Sequence, residues 1–122
     1  MRKSIYFISI CLLMIILSSC GKSNSKLEYM TTEDNNDYVS ILWEGRTYVP
    51  FCGIDNSERG AQIGIVNEDK NDQVFEYKNH STDNWIISFY KSGEMDSSML
   101  MKEINVTEIP NNLQSEYEWN NK

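Results

Sequence analysis

Beyond Asp37 apolar and polar residues alternate with the period of two expected for strands with one buried face. Val39, Ile41 and Trp43 alternate with Tyr38, Ser40 and Leu42, and Glu44-Gly45-Arg46 makes a tight turn before Val49 and Phe51 resume the apolar face. Two such runs around a short Gly-containing turn predict a hairpin. Pro50 has no N–H, so it belongs at an edge or where regular pairing ends. A second hairpin joins Ile63 and Ile65 to Phe75 and Tyr77 through the polar loop Asn67 to Asp72. The run Trp85 to Tyr90 fits two templates. Trp85, Ile87 and Phe89 give a strand face; Trp85, Ile86, Phe89 and Tyr90 give a helical stripe over about 82–91, capped by Ser81 or Thr82 and stopped by Gly93. The β-branched and aromatic residues favour the strand. After the turn Lys91 to Glu94, Leu100, Ile104 and Val106 form a last strand that Pro110 ends.

These elements predict a mainly β domain over 38–110: an antiparallel meander of five or six strands, as a curled sheet or partly open barrel. Its connections are too short for the crossovers that parallel strands need. The alternative is an α+β domain with the short helix at about 82–91. One core would hold Ile41, Trp43, Phe51, Ile63, Ile65, Phe75, Tyr77, Trp85, Ile87, Phe89 and Ile104. Residues 111–122 read as a polar C-terminal tail, from which Trp119 can fold back onto the sheet. From Gly21 to Asp37 only Leu27, Tyr29 and Met30 are large and apolar, so 20–37 reads as a flexible tether, with Leu27 to Met30 as the one place a strand could begin. A random coil of that length reaches about 20–25 Å.

The first residues follow a different rule. Arg2 and Lys3 precede an apolar run of thirteen residues, Ile5 to Leu17, broken only by Ser9. A transmembrane helix needs roughly 20 apolar residues, so this length fits a signal peptide. Leu17-Ser18-Ser19-Cys20 resembles the lipobox of bacterial lipoproteins: an aliphatic residue, two small residues and Cys. Ser19 stands where Gly or Ala is commonest in that family. The resemblance covers residues 1–20 and implies removal of 1–19, a diacylglyceryl group on the Cys20 thiol with palmitate-type chains, and an extracytoplasmic domain anchored to the cell membrane or outer membrane. Burial of acyl chains contributes about 0.8 kcal/mol per CH₂, so two chains hold firmly where one holds marginally.

Charge and cysteine content narrow the remaining classes. Arg2 and Lys3 are the only charged residues before Cys20, so loss of the leader takes two of the 11 basic groups and none of the 18 acidic ones, leaving a formal charge of −9. That balance excludes a nucleic-acid binder, which needs clustered positive charge. It favours a basic or neutral partner. Cys11 leaves with the leader and Cys20 takes the lipid, so Cys52 has no thiol to pair with inside the chain.

Candidate chemistry is sparse. Cys52 and His80, with Asp83 as orienting acid, are the one conceivable nucleophile–base set, and an exposed Cys52 would permit a redox role. Glu33 to Asp37 and Asn67 to Asp72 are oxygen-rich but lack the spacing of a calcium loop, and no phosphate loop, serine elbow or zinc-helix motif occurs. No metal, cofactor or enzymatic activity is expected. Tyr48 and Tyr90, placed with Ile86 on the face opposite the core, are the candidate binding residues, because tyrosine combines contact area with a polar handle. The leading expectation is a tethered, non-enzymatic β-domain that binds a protein, peptide or glycan of the envelope. An acidic inhibitor or immunity-type protein for a basic toxin or hydrolase is the second, and a thiol-dependent redox protein the third.

Overall fold

A computed structural model of the chain describes residues 27–94 and 96–121. Seven strands, β1 (Glu28–Asp34), β2 (Val39–Trp43), β3 (Arg46–Ile54), β4 (Arg59–Val66), β5 (Asp69–Tyr77), β6 (Trp85–Tyr90) and β7 (Ser98–Glu103), close into a barrel in the order β1-β2-β3-β7-β6-β5-β4. The predicted β class is correct, and the strand count is higher than the five or six expected. The segment 82–91 is not helical: Trp85–Tyr90 is a central strand between β5 and β7.

Two antiparallel runs, β1-β2-β3 and β4-β5-β6-β7, are joined by the β3–β7 pair and sealed by a parallel pair between β1 and β4. That seal is why β1 exists. Its sequence, EYMTTED, buries only Met30, so it holds its place through backbone pairing more than through an apolar stripe. The strand occupies 28–34 of the segment read as a tether, and the domain therefore begins ten residues earlier than the predicted Tyr38. β1 crosses β4 so closely that a Cβ on Gly64 would stand 2.7 Å from both the Glu28 carbonyl oxygen and the Met30 methyl carbon. Only glycine permits that approach.

The hairpin turns are tighter than the sequence implied. Asn67 (φ 52°) and Glu68 (φ 62°) alone link β4 to β5, and Glu44 (φ 51°) with Gly45 (φ 74°) links β2 to β3. Two consecutive left-handed residues match the right-handed twist of hairpin strands. Asp69 to Asp72, read as loop, are the first residues of β5.

The core is double. Along β6, Ile86 belongs to one cluster, while Trp85 and Ile87 belong to another. The first fills the barrel interior with Met30, Ile41, Tyr48, Val66, Val74, Ile86 and Met101, backed by Trp43 and Ile63. The second lies outside the sheet, where Phe51, Cys52, Tyr77, Trp85, Ile87 and Leu100 pack with Ile54, Val106 and Leu113. Burial on both faces accounts for the unbroken Trp85-Ile86-Ile87 run. It also corrects the single predicted core: Ile41, Trp43 and Ile63 separate from Phe51, Phe75, Tyr77, Trp85 and Ile87, and Ile104 is half exposed just past β7.

The polar tail is docked, with Trp119 folded back onto the sheet as the sequence allowed and the residues around it docked as well. β2 reaches back along β3 only as far as the Ile41–Tyr48 pair, so among the described residues the Pro50–Gly53 edge has no strand neighbour on that side. Residues 115–120 fill the gap. The Glu116 amide donates to the Phe51 carbonyl (2.9 Å), the Trp119 indole and Asn120 amide donate to the Pro50 carbonyl (3.0 and 2.9 Å), and the Glu116 carboxylate accepts from the Gly53 amide (2.6 Å). Pro50, which has no N–H to offer, stands where the β2 ladder has ended and a bulge follows.

Candidate binding site at the open end of the barrel

The two ends of the barrel differ. At one end Trp43 and Tyr48 plug the interior, their ring centroids 6.4 Å apart, and the Tyr48 hydroxyl donates to the Thr82 carbonyl at 2.6 Å. Burial of that hydroxyl, reinforced by Asp83, Glu103 and Glu44 against the opposing pull of Arg46, pushes its pKa up to about 12. Tyr48 is therefore a structural residue and not the surface tyrosine predicted, and Ile86, fully buried, is likewise not on an outer face. The bulge after Pro50 and burial of the sheet on both sides break the assumption that one face is core and the other solvent.

At the opposite end the interior opens. Here Thr32, Val39, Ile41, Pro50, Val66, Asp72, Ser88, Met99 and Met101 line a recess of about 200 Å³. Its walls are apolar, and its polar groups are one carboxylate and two hydroxyls. Each comes from a different strand: Thr32 from β1, Asp72 from β5 and Ser88 from β6. Asp72 faces Tyr90 directly across the β5–β6 pair, so Tyr90, 54 % exposed, stands on the rim beside the carboxylate.

Asp72 is partly buried, and among the described residues its carboxylate accepts no hydrogen bond and meets no cation; both ion pairs found there belong to Arg46, with Glu44 (3.6 Å) and Asp83 (3.2 Å). Burial, and then the neighbouring charge of Asp69, raise its pKa. Ser88 is likewise without a hydrogen-bond partner there, while Thr32 accepts from the Asn67 side chain at 3.0 Å.

The docked tail walls one side of this opening. Tyr117 stacks on Trp119 (4.5 Å between centroids), Trp119 packs on Tyr38 (4.9 Å), and the Tyr117 hydroxyl reaches the Met99 sulfur at 4.0 Å. Asp37, Glu116 and Glu118 surround these rings. Aromatic surface and acidic groups thus gather at one end of the molecule.

The residues proposed for thiol chemistry are not assembled. Cys52 is buried, its thiol pushed up by burial and by Glu116. No hydrogen bond joins His80 to Cys52 among the described residues: His80 stacks on Tyr77 (4.0 Å) with Nδ1 2.8 Å from the Lys78 carbonyl, and Asp83 pairs with Arg46. A wider groove of about 430 Å³ runs beside Cys52 between β3 and the tail, lined largely by polar groups including Asp55, Glu58, Asn112, Gln114 and Glu116. Among the described residues no three His, Cys, Asp or Glu are grouped to hold a metal ion. Of the predicted site residues, Tyr90 lies at the open end, and Leu17, Ser18, Ser19 and Cys20 lie outside the described residues. Asp72 escaped notice because Asp-Lys-Asn-Asp reads as a turn; only the register of β5 puts its side chain at the recess.

No protein-family model, curated protein or solved structure matches the chain.

Proposed function

We propose that the chain is a lipoprotein held to the envelope through Cys20, and that the open end of its barrel binds another envelope component without chemical turnover. The anchor reading rests on Leu17-Ser18-Ser19-Cys20 and the short apolar run before it. The binding reading rests on one observation above all: an apolar recess holds a carboxylate with no partner among the described residues, at the end where Tyr90, Tyr38, Tyr117 and Trp119 gather. Recesses of this kind, apolar with a few convergent polar groups, commonly occupy the mouths of β-barrels. The Asp72 oxygens are still reached by solvent, so the carboxylate is only partly desolvated and open to an incoming partner.

A photo-crosslinking residue placed at Tyr90 in intact cells tests the reading. A discrete covalent product from position 90, lacking when the same residue replaces Glu108, supports it; no product from either position overturns it. The acidity of the same end favours, as a second reading, an inhibitor or immunity-type role toward a basic protein, which predicts partner capture that weakens steeply with salt.

A further inference from the structure

We infer that the recess receives a lysine side chain presented by a basic partner protein, with its methylenes against Val39, Pro50 and Met99 and its ammonium held by Asp72, Ser88 and Thr32. The inference rests on the binding reading above and names the ligand chemistry of that site. Three features converge on it. The walls are apolar, which suits a flexible aliphatic stem. The polar groups number three, one anionic and two hydroxyl, from three strands around the opening, and an ammonium carries three donors. The surroundings are acidic, with Asp34, Asp37, Asp69, Glu116 and Glu118 at the same end; Lys70 and Lys91 are the basic residues of the neighbouring segments, and neither pairs with Asp72.

Lysine fits better than arginine. A guanidinium is planar and favours a carboxylate that can meet it with both oxygens, whereas a compact ammonium accepts acceptors spread around it. A neutral aliphatic side chain would leave Asp72 buried beside it without a partner, which is costly. A glycan would supply hydroxyls for Asp72 but no positive charge to offset it.

The test uses the full chain in zwitterionic detergent micelles, labelled with ¹³C at its methionine methyl groups. The probe is acetyl-Gly-Lys-Gly-amide, compared with the same peptide carrying norleucine. The expected result is saturable movement of the Met99 and Met101 signals by the lysine peptide, no saturable movement by the norleucine peptide, and at least tenfold weaker binding to Asp72→Asn than to a Glu108→Gln control. Equal titration by norleucine, unchanged titration of Asp72→Asn, or unmoved Met99 and Met101 signals would each overturn the inference. A crosslinked product from position 90 that survives Asp72→Asn would defeat the lysine assignment while leaving the binding reading intact. Absence of any product defeats that reading itself.

Discussion

The indole N–H of Trp119 donates to the carbonyl of Pro50 over 3.0 Å, tying the last turn of the chain to the stretch of β3 that β2 leaves uncovered. An exposed strand edge invites pairing with other chains, and here a tail with no strand of its own covers it. Trp119→Phe keeps an aromatic ring for Tyr38 and Tyr117 but removes the donor. A net loss of about 1 kcal/mol in urea denaturation is expected, together with faster hydrogen exchange at the Gly53 and Glu116 amides. Unchanged stability with unchanged exchange would show that the tail does not guard the edge.

The Tyr48–Thr82 bond at the closed end makes a prediction with a pH signature. Tyr48→Phe removes a buried donor from the Thr82 carbonyl and is expected to cost about 1 kcal/mol near neutral pH. The native hydroxyl has its pKa raised from 10.0 to about 12, so between those values the unfolded chain releases the proton first. Fewer protons bound in the unfolded state means that wild-type stability falls as pH climbs through this window. The deficit of Tyr48→Phe should therefore shrink above pH 10. Parallel pH curves for the two proteins would exclude the raised value.

How much of this was readable in advance depends on which physical signal each element carries. β2, β5 and β6 were legible because their apolar residues announce a strand, and the Trp85-Ile86-Ile87 run already contained the sign of burial on both faces. β1 was legible only as a possible strand start at Leu27 to Met30, since Glu28-Tyr29-Met30-Thr31-Thr32-Glu33-Asp34 buries one residue and is held by backbone pairing with two neighbours. Tyr48 was assigned to the wrong face because two faces were assumed to differ in exposure and do not. The fold-back of Trp119 was legible as a lone aromatic in a polar tail, but its partners were not, because the Glu116 amide and the Ser115, Trp119 and Asn120 side chains meet the carbonyls of Phe51 and Pro50 without any periodicity. The open end is assembled from single residues of separate strands, so closure of the barrel had to be known before Asp72 could be singled out.

Asp72 should betray its role through stability. Its pKa is raised in the folded protein by burial and by Asp69, so the native state holds the proton over a range where the unfolded state has released it. Stability therefore falls as pH rises through the carboxylate range, and the full penalty persists at neutral pH. Asp72→Asn, which lacks the charge, is expected to melt at higher temperature than wild type at pH 7. Below the unfolded carboxylate pKa, about 3.9, this charge-dependent advantage should disappear. A variant less stable at pH 7 than at pH 3.5, relative to wild type, would mean that the carboxylate has a stabilising partner. Gains in stability at the expense of binding are the usual mark of a site kept for function.

Cys52 separates a structural thiol from a redox one. It is 6 % exposed, packed with Phe51, Trp85 and Leu100, and its pKa is raised first by burial and then by the charge of Glu116. Both causes suppress the thiolate, the species that reacts. Labelling at Cys52, followed by peptide mass mapping to set it apart from Cys11 and Cys20, should be slow in the native protein. It should run about tenfold slower than in the unfolded chain for every 1.4 kcal/mol needed to open the site. Glu116→Gln should accelerate it, because it removes one cause of the raised pKa and weakens the 2.6 Å contact to the Gly53 amide that holds the tail over this strand. Native labelling as fast as in urea would place the thiol within reach of solvent and revive a mixed-disulfide role.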